Sequence, residues 1–326
     1  MPPLVSILIP CYNAERWLAP TLESALAQTW PHREIIVVND GSTDRSLSIA
    51  RPYEGRGLRV LDQPNRGASA ARNAAFAAGR GEWIEFLDAD DLLAPDKIER
   101  QMQLAATVGP DFMLCGSWSR FAHSPADADF PPQPLSGDFA PTDWTVTKFE
   151  RNAMTHPAAW LTPRALAERA GPWDESLSLD DDGEYFTRVV LASRGVRCCH
   201  EAVSYYRSGL ADSLSRTKSE KAWASAYRAM DLSTARLLAA EDTPRTRRAC
   251  AMVCRQFCFE AYPQARELRA RAETRLQELG FALGAPDWGP AFNAVSRVAG
   301  WRFAKRVQRF SRRLGYKRLA ALWFRR

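Results

Sequence analysis

This 326-residue sequence lacks the signals of a membrane-spanning or secreted protein. No apolar run approaches the roughly 20 residues that a membrane-spanning helix needs. The N-terminus lacks the basic region, long apolar core and small-residue cleavage site of a secretory signal, because its apolar run from Leu4 to Ile9 is only as long as a strand. The chain is therefore expected to stay in the cytoplasm.

Cysteine pairs and glycine-rich phosphate loops are missing as well. The seven cysteines include no C-x-x-C pair, which is typical of reduced thiols rather than of a disulfide framework. The first apolar run is followed by P-C-Y-N and not by the G-x-G-x-x-G of a dinucleotide-binding unit. No phosphate-binding G-x-x-x-x-G-K-[ST] loop occurs either. The sequence therefore argues against these two nucleotide-binding classes.

Acidic residues are missing from the C-terminal stretch. Residues 301–326 hold ten Lys and Arg and no Asp or Glu, whereas the first 300 residues carry 34 basic and 38 acidic side chains. The same stretch places Phe303, Val307, Phe310 and Leu314 at helical spacing. This pattern predicts a basic amphipathic helix over 301–326 that lies on an anionic membrane surface. The alternatives are a nucleic-acid-binding arm, which we favour less, and a helix docked on an acidic surface of its own protein.

Alternating strand and helix patterns dominate the first 110 residues. Four almost wholly apolar runs, each followed by turn residues and a helical pattern, lie at 4–9, 34–38, 58–61 and 82–87. Such an alternation predicts an α/β fold with a mostly parallel sheet covered by helices on both faces. From about Lys218 onward the pattern is helical. Residues 122–142, rich in Pro, Asp and Ala, read as a long surface loop, either a lid or an acceptor-specific insertion.

The fourth apolar run ends in three carboxylates, Asp88, Asp90 and Asp91. Because ligands bind at the carboxyl ends of the strands in open α/β sheets, the cluster indicates a divalent cation that carries a phosphorylated substrate. The alternative is a solvated turn that caps the helix beginning near Pro95.

Four motifs in register over about 90 residues carry a resemblance to a known family. They read V-S-I-L-I-P-C-Y-N-A-E, I-V-V-N-D-G-S-T-D, N-R-G-A-S-A-A-R-N and F-L-D-A-D-D, and together they resemble the family two glycosyltransferases of the GT-A fold. The resemblance implies a GT-A domain over 1–216, with a nucleotide-sugar-binding half at 1–110 and an acceptor and catalytic-base half at 111–216. A helical region over 217–326 would follow. It also implies an inverting transferase, dependent on Mn²⁺ or Mg²⁺, that moves a sugar from a nucleotide diphosphate, UDP above all, to an acceptor hydroxyl of a glycan or lipid-linked molecule.

The resemblance assigns the base-binding part of the donor site to the first two motifs. Pro10, Tyr12 and Asn13 follow the first strand, with the Tyr12 ring against the base. Asp40 would accept a hydrogen bond from the ring N–H of the base, which is sensible chemistry for uracil. The family usually has Asp at the preceding position, where this sequence has Asn39. An ordinary packed loop aromatic is the alternative for Tyr12.

The third and fourth motifs would hold the diphosphate and the cation. The resemblance places Arg72 on the diphosphate, Asp88 on the ribose or its water shell, and Asp90 on the metal. Asp91 is a second metal ligand or a helix cap. A surface ion pair is the alternative for Arg72.

The second half is expected to supply the general base. The segments G-P-W-D-E and L-D-D-D-G-E-Y-F-T-R resemble the family's G-x-W/F-D-E and E-D-x-[DE]-x-x-x-R. This places the base at Asp182, six residues before Arg188, with Asp181 where Glu is commoner. Because Asp180 begins a run of three Asp residues, the alignment with the family motif is uncertain by one residue. A helix N-cap is the alternative role for these aspartates.

Acceptor contacts are expected from Trp173 and His156, although a structural role for His156 is the more ordinary interpretation. The segment V-S-Y-Y-R-S-G resembles the family's Y-Y-R-x-H but lacks the His, so the protein would have to do without it or use Ser213 or Ser215. Two other functions stay open at this point. One is a non-catalytic nucleotide- or glycan-binding protein on the same fold. The other is a sugar nucleotidyltransferase, which would require a glycine-rich basic loop after the first strand, where this sequence has P-C-Y-N.

Overall fold

The apolar runs become strands of one eight-stranded sheet in the computed structural model, which describes residues 2–209, 219–286 and 288–313. The strands lie in the order β3-β2-β1-β4-β7-β6-β8-β5. Their bounds are β1 (Val5–Cys11), β2 (Arg33–Asp40), β3 (Leu58–Gln63), β4 (Trp83–Phe86), β5 (Leu92–Leu93), β6 (Phe112–Phe121), β7 (Trp160–Pro163) and β8 (Gly195–Arg207).

Twelve α-helices are found in the described residues. Those of the first half are α1 (Leu18–Leu26), α2 (Ser46–Ala50), α3 (Ala68–Ala78), α4 (Lys97–Val108), α5 (Pro141–Arg151), α6 (Arg164–Ala170) and α7 (Asp181–Ala192). The later ones are α8 (Glu220–Ala240), α9 (Pro244–Ala261), α10 (Arg266–Glu278), α11 (Pro290–Ala299) and α12 (Trp301–Arg313). In the described part of the chain, every helix is too short or too polar to cross a bilayer.

The side chains of β1 show why both faces of the sheet are covered. Ile7 and Ile9 pack in one hydrophobic cluster with Leu22 of α1, whereas Leu8 packs in the opposite cluster with Ala71 of α3. Successive side chains of a strand point to opposite faces, so a strand that is buried at every position needs a helix layer on each side. The predicted α/β architecture is confirmed.

Strand direction determines which loops meet. β1 runs parallel to β2 and β4, and β2 runs parallel to β3, as predicted. The sheet is mixed in its second half, because β7 is antiparallel to both β4 and β6, and β5 is antiparallel to β8. β6 consequently points the same way as β4. The loops after β1, β2, β4 and β6 therefore emerge at one edge of the sheet.

The helical C-terminal region is also confirmed. The chain divides into two compact units, residues 1–253 and 254–326. The described part of the second unit has a small aromatic core made by Phe259, Tyr262, Phe292 and Trp301. The boundary expected after residue 216 lies outside the described residues, as does the last part of the expected terminal helix, 314–326.

Candidate active site

The loop after β1 is tied to the loop after β2. The Asn13 N–H donates to Ser42 Oγ (3.0 Å), and Asn13 Oδ1 accepts from the Thr43 N–H (2.8 Å). Asn13 holds the left-handed conformation (φ 48°) that Asn tolerates in turns. Tyr12 is 52% exposed on this fixed turn, whereas Pro10 is buried within β1. Tyr12 can therefore offer a ring face to a base, while Asn13 holds the turn.

Asp40 ends β2 and anchors the turn that leads into α3. Its Oδ1 accepts from the Arg66 N–H (2.9 Å) and from Gln63 Nε2 (2.7 Å), and its Oδ2 accepts from the Gly67 N–H (2.8 Å). A carboxylate offers about four acceptor directions, so three of them are used within the protein. Asp40 retains about one direction for a ring N–H, and its first role in this structure is to hold the N-R-G turn.

Arg72, in the second turn of α3, joins two carboxylates that are far apart in the sequence. Its Nη2 donates to Asp88 Oδ1 (2.7 Å) and its Nη1 donates to Asp181 Oδ2 (2.8 Å). Burial lowers the pKa of this guanidinium, but the charges of Asp88 and Asp181 outweigh that effect and raise it above the usual arginine value. The D-A-D segment and the expected base segment thus meet at one buried cation.

Trp173 lies beneath that cation. The Arg72 guanidinium is 4.5 Å from the Trp173 ring centroid, and the indole also stacks on the Tyr185 ring, with the two centroids 4.0 Å apart. The Trp173 N–H donates to Asn73 Oδ1 (2.9 Å), which fixes its backbone to α3. Only 2% of Trp173 is exposed. This geometry favours a supporting position under Arg72 over the expected acceptor contact.

Asp91 points into the interior of the protein. Its Oδ2 accepts a hydrogen bond from His156 Nδ1 (3.0 Å), and its Oδ1 accepts from the Arg207 N–H (2.8 Å). The carboxylate is fully buried, and the N-cap of α4 is Asp96. The geometry therefore argues against Asp91 as a metal ligand or as a helix cap.

Asp90 is the carboxylate of this segment whose chemistry suits a cation. Burial, followed by the charges of Asp91 and Asp88, raises the pKa of Asp90 to about 8. A nearby divalent cation stabilises the ionised form of a buried carboxylate, which is costly to ionise alone. Hard divalent cations are often bound by one or two carboxylates together with phosphate oxygens. Within the described ranges no group of three or more His, Cys, Asp and Glu side chains is arranged around a common point.

Arg207 is a site residue for which no role was predicted. Its guanidinium is stacked between the rings of Trp17 (4.2 Å) and Phe121 (4.3 Å). Its Nε donates to the backbone oxygen of Asp90 (2.8 Å). The signal that could have found it is the Y-Y-R segment that resembles the family's closing motif. Arg207 holds the backbone of the D-A-D-D segment from the β8 side.

The three consecutive aspartates at the start of α7 occupy three different positions. Asp180 has a left-handed backbone (φ 61°), and its carboxylate occupies the space where a side chain on Gly183 would lie. Asp181 accepts from Arg72. Asp182 is half-buried, and its Oδ1 accepts from the Gly183 N–H (2.7 Å). The local geometry therefore distinguishes the three side chains that the sequence leaves equivalent.

The pKa of Asp182 is raised to about 7. Burial is the largest cause, followed by the charges of Asp181 and Asp180. The charges of Arg72 and Lys148 act in the opposite direction. Lys148, which the sequence did not single out, donates from Nζ to Gly183 O (2.6 Å) beside the aspartates. Asp182 is thus placed to exchange a proton near neutral pH.

His156 is a buried structural residue in this geometry. Besides donating from Nδ1 to Asp91, it accepts at Nε2 from Ser204 Oγ (2.8 Å). Burial lowers the pKa of His156 to about 3, so the ring is neutral at pH 7. Only 1% of the residue is exposed, which leaves no surface for an acceptor. Ser213 and Ser215, named above as replacements for the missing family His, lie outside the described residues.

Comparison with known proteins identifies the N-terminal part of the chain. Residues 6–153 match the model of the family described as glycosyl transferase family 2. The uncharacterized glycosyltransferase EpsJ of Bacillus subtilis (strain 168) is 34% identical over 215 residues, which cover 64% of this chain and 62% of EpsJ. The chain therefore aligns with less than two thirds of the length of that relative.

Two solved structures are similar in fold at low sequence identity. A crystal structure of the S. aureus TarS fragment 1-349 in complex with UDP-GlcNAc has a TM-score of 0.70 at 17% identity, covering 95% of this chain and 92% of that chain. The mannosyltransferase PcManGT from Pyrobaculum calidifontis, in complex with GDP-Man and Mn2+, has a TM-score of 0.54 at 18% identity, covering 99% of this chain and 83% of that chain. Residues 6–153 therefore carry a domain of glycosyl transferase family 2, and the chain has the GT-A fold.

Proposed function

We propose that this protein is an inverting glycosyltransferase that moves a sugar from a nucleotide diphosphate donor, UDP above all, to a hydroxyl of a glycan or lipid-linked acceptor in cell-surface polysaccharide synthesis. The observation that carries the proposal is the position of Arg72 between Asp88 and Asp181. One buried cation next to the D-A-D segment and the aspartates of α7 suits a reaction in which a diphosphate leaves while a base takes a proton.

In this proposal the donor binds across the loops after β1, β2 and β4. Tyr12 stacks on the base, and the remaining acceptor direction of Asp40 receives the ring N–H. Arg72 exchanges part of its contact with Asp88 for the diphosphate, which is a stronger anionic partner for a guanidinium. Asp88 is then available to the ribose. The UDP-GlcNAc in TarS and the GDP-Man in PcManGT support a nucleotide-sugar donor on this fold.

Metal dependence is part of the proposal. Asp90 would hold Mn²⁺ or Mg²⁺ together with phosphate oxygens and water, in keeping with the Mn2+ of PcManGT. When bound, the cation neutralises the charge that develops on the departing diphosphate. Arg207 holds the Asp90 backbone and so fixes the direction of this carboxylate.

Asp182 is proposed as the general base. Its carboxylate takes the proton of the acceptor hydroxyl while the hydroxyl oxygen forms a bond to the anomeric carbon from the face opposite the diphosphate. The bond from that carbon to the diphosphate oxygen breaks, and the diphosphate keeps the electron pair. A single displacement of this kind inverts the configuration of the sugar. A pKa of about 7 suits a base that must be ionised yet basic at neutral pH.

We also propose that the protein lies on the inner face of the cytoplasmic membrane through α12. Phe303 and Phe310 are 51% and 65% exposed on this helix, and Arg302 and Arg306 are exposed beside them. Exposed aromatic rings flanked by arginines suit the headgroup region of an anionic bilayer. Trp301 packs in the core of the second unit, so the exposed face and not the whole helix is the proposed contact.

A thermal-shift panel tests the donor site. The protein is melted with UDP, GDP, CDP or dTDP, each with Mn²⁺, Mg²⁺ or EDTA, because a ligand that binds the native state raises the melting temperature. We expect one nucleotide, UDP, to raise it with metal and to have little effect in EDTA. If the rise in melting temperature is the same with metal and with EDTA, the proposed metal-binding role of Asp90 is refuted. No shift with any nucleotide refutes nucleotide-sugar binding.

A further inference from the structure

A cavity of about 260 Å³ lies outside the carboxylate cluster, beside β6 and the loop that follows it. Its walls include Trp118, Phe130, Pro131, Pro132, Gln133 and His200. Its lining thus combines aromatic and proline rings with side chains that carry hydrogen-bonding groups.

The size of the cavity limits what it can hold. Pockets for drug-sized ligands have volumes of about 300–1,000 Å³. A nucleotide sugar, with its base, ribose, diphosphate and sugar, is too large for this space, whereas a single sugar ring suits it. A pyranose presents a C–H face to aromatic rings and a rim of hydroxyls to polar groups, which matches the two kinds of wall.

The loop that forms the cavity is held to the sheet. Gln133 Nε2 donates to Trp118 O (3.0 Å), and Ser119 Oγ donates to Asp129 O. These contacts fix the loop on both sides of Phe130, whose ring is 41% exposed. The cavity is therefore built by specific side-chain contacts, and Phe130 offers an accessible aromatic surface within it.

A row of aromatic rings connects the cavity with the D-A-D segment. The Phe130 ring is 6.1 Å from the Tyr205 ring, and the Tyr205 ring is 6.2 Å from the Phe121 ring. Phe121 contacts the Arg207 guanidinium, which in turn donates to the Asp90 backbone. The cavity is consequently linked through packed side chains to the D-A-D segment.

From these observations we infer that the cavity is a saccharide subsite, which binds a sugar residue of the acceptor at a distance from the hydroxyl that reacts. The inference rests on the proposed function, because it assigns the bound sugar to the acceptor. It means that the acceptor is a glycan of more than one residue. Phe130 is the principal contact, and Gln133 and His200 supply hydrogen bonds to the hydroxyl rim.

Saccharide binding without any donor tests the subsite. Saturation-transfer difference NMR is recorded with the methyl glycosides of glucose, galactose, mannose and N-acetylglucosamine, and with cellobiose and chitobiose; glycerol serves as a polyol without a ring. We expect at least one saccharide to bind, with the strongest transfer to its C–H face. Phe130→Ala should weaken that binding about tenfold, and Phe130→Tyr, which keeps the ring, should restore it.

Met252→Ala is the matched control, because Met252 is also a partly exposed apolar side chain, at 37%, and does not line the cavity. The subsite is refuted if no saccharide binds, or if Phe130→Ala binds as well as the Met252→Ala control. The thermal-shift response to UDP and metal is measured on the same variants and should be unchanged. If the wild type binds a saccharide but its melting temperature does not respond to UDP and metal, the proposed function is refuted. The protein would then be a glycan-binding protein.

Discussion

At the scale of single residues, the burial and charge environment of Asp182 suits its proposed role as the general base. The carboxylate is half-buried beside Asp181 and Asp180, with Arg72 and Lys148 as the nearby cations. These opposing charges leave its pKa at about 7. A base of this kind is mostly ionised just above neutral pH and still accepts a proton in the transition state.

Replacement of Asp182 by Asn should lower kcat by about 10²- to 10⁴-fold, the usual contribution of a general base. The amide keeps the size of the side chain, so donor binding should survive, as measured by the UDP thermal shift. Release of nucleotide diphosphate gives kcat. Asp111→Asn is the control, since Asp111 is exposed and directly precedes β6, away from the three aspartates of α7. Near-normal turnover in Asp182→Asn would move the role to Asp181 or Asp180.

The pH dependence of activity should follow the same carboxylate. Only the deprotonated form accepts a proton, so kcat should rise with pH through about 7 and then level off. Lys148→Met removes a cation that lowers the pKa of Asp182, and the rising limb should shift to higher pH. Lys148→Arg keeps the charge and should leave the limb where it is. If Lys148→Met leaves the rising limb of the pH profile of kcat unchanged, Lys148 does not influence the pKa of the base.

At the scale of elements, a buried ion pair joins β4 to α4. Lys97 Nζ donates to Glu85 Oε2 and to Trp160 O (3.1 Å), and both charged side chains are fully buried. Burial raises the pKa of Glu85 to about 8, and burial likewise lowers the pKa of Lys97. The pair holds the strand that ends in the D-A-D segment against the helix that follows it.

Lys97→Met should lower the free energy of unfolding by about 3–5 kcal/mol, because it leaves a buried carboxylate without its partner. The double variant Glu85→Leu/Lys97→Met removes both charges and should recover most of that loss. Urea unfolding of the three proteins measures the difference. Equal losses in the single and double variants would mean that packing, and not the unpaired charge, is responsible.

The loss in Lys97→Met should also depend on pH. Glu85 has a higher pKa in the folded than in the unfolded state, so the folded state binds more protons between the two values. Stability of the variant should therefore increase as the pH falls from 8 toward about 5, while the double variant, with no carboxyl at position 85, should show no such gain. Urea midpoints at pH 8 and pH 5 test this.

At the scale of the whole molecule, the exposed face of α12 is expected to control membrane attachment. Phe303→Ser/Phe310→Ser should reduce flotation with vesicles that contain phosphatidylserine, because both rings are exposed while the buried Trp301 is unchanged. Deletion of 301–326 is the cruder test, since it also removes Trp301 from the core of the second unit. Unchanged flotation of the double variant would refute the contact.

The electrostatic part of that attachment has its own control. Arg302→Gln/Arg306→Gln should weaken flotation and make it less sensitive to salt, since each basic residue near an anionic surface contributes about 1 kcal/mol. Arg266→Gln/Arg271→Gln removes two exposed charges from α10 and should have a smaller effect. If the two pairs behave alike, net charge and not the α12 face is what binds the vesicles.

Much of the fold could be predicted because its signals are local. An apolar strand, a turn of Asn, Asp or Gly, and an amphipathic helix each depend on neighbouring residues, and α3 lies where the alanine-rich pattern places it, at Ala68–Ala78. The amphipathic pattern begins near Glu15, whereas α1 begins at Leu18, because residues 13–15 are held by the loop after β2. Such a contact between distant residues has no local signal.

The sequence by itself determined the α/β order, the helical C-terminal region and the resemblance of residues 6–153 to glycosyl transferase family 2, because these depend on periodicity and on motifs in register. Only the tertiary structure decided which side chains of those motifs face one another. It turned Asp91 inward to His156, placed Trp173 under Arg72, and brought Arg72 to Asp181, 109 residues away in the chain. The physical reason is that hydrogen bonds and burial act between neighbours in space, and the sheet order places residues from both halves of the chain around one buried guanidinium.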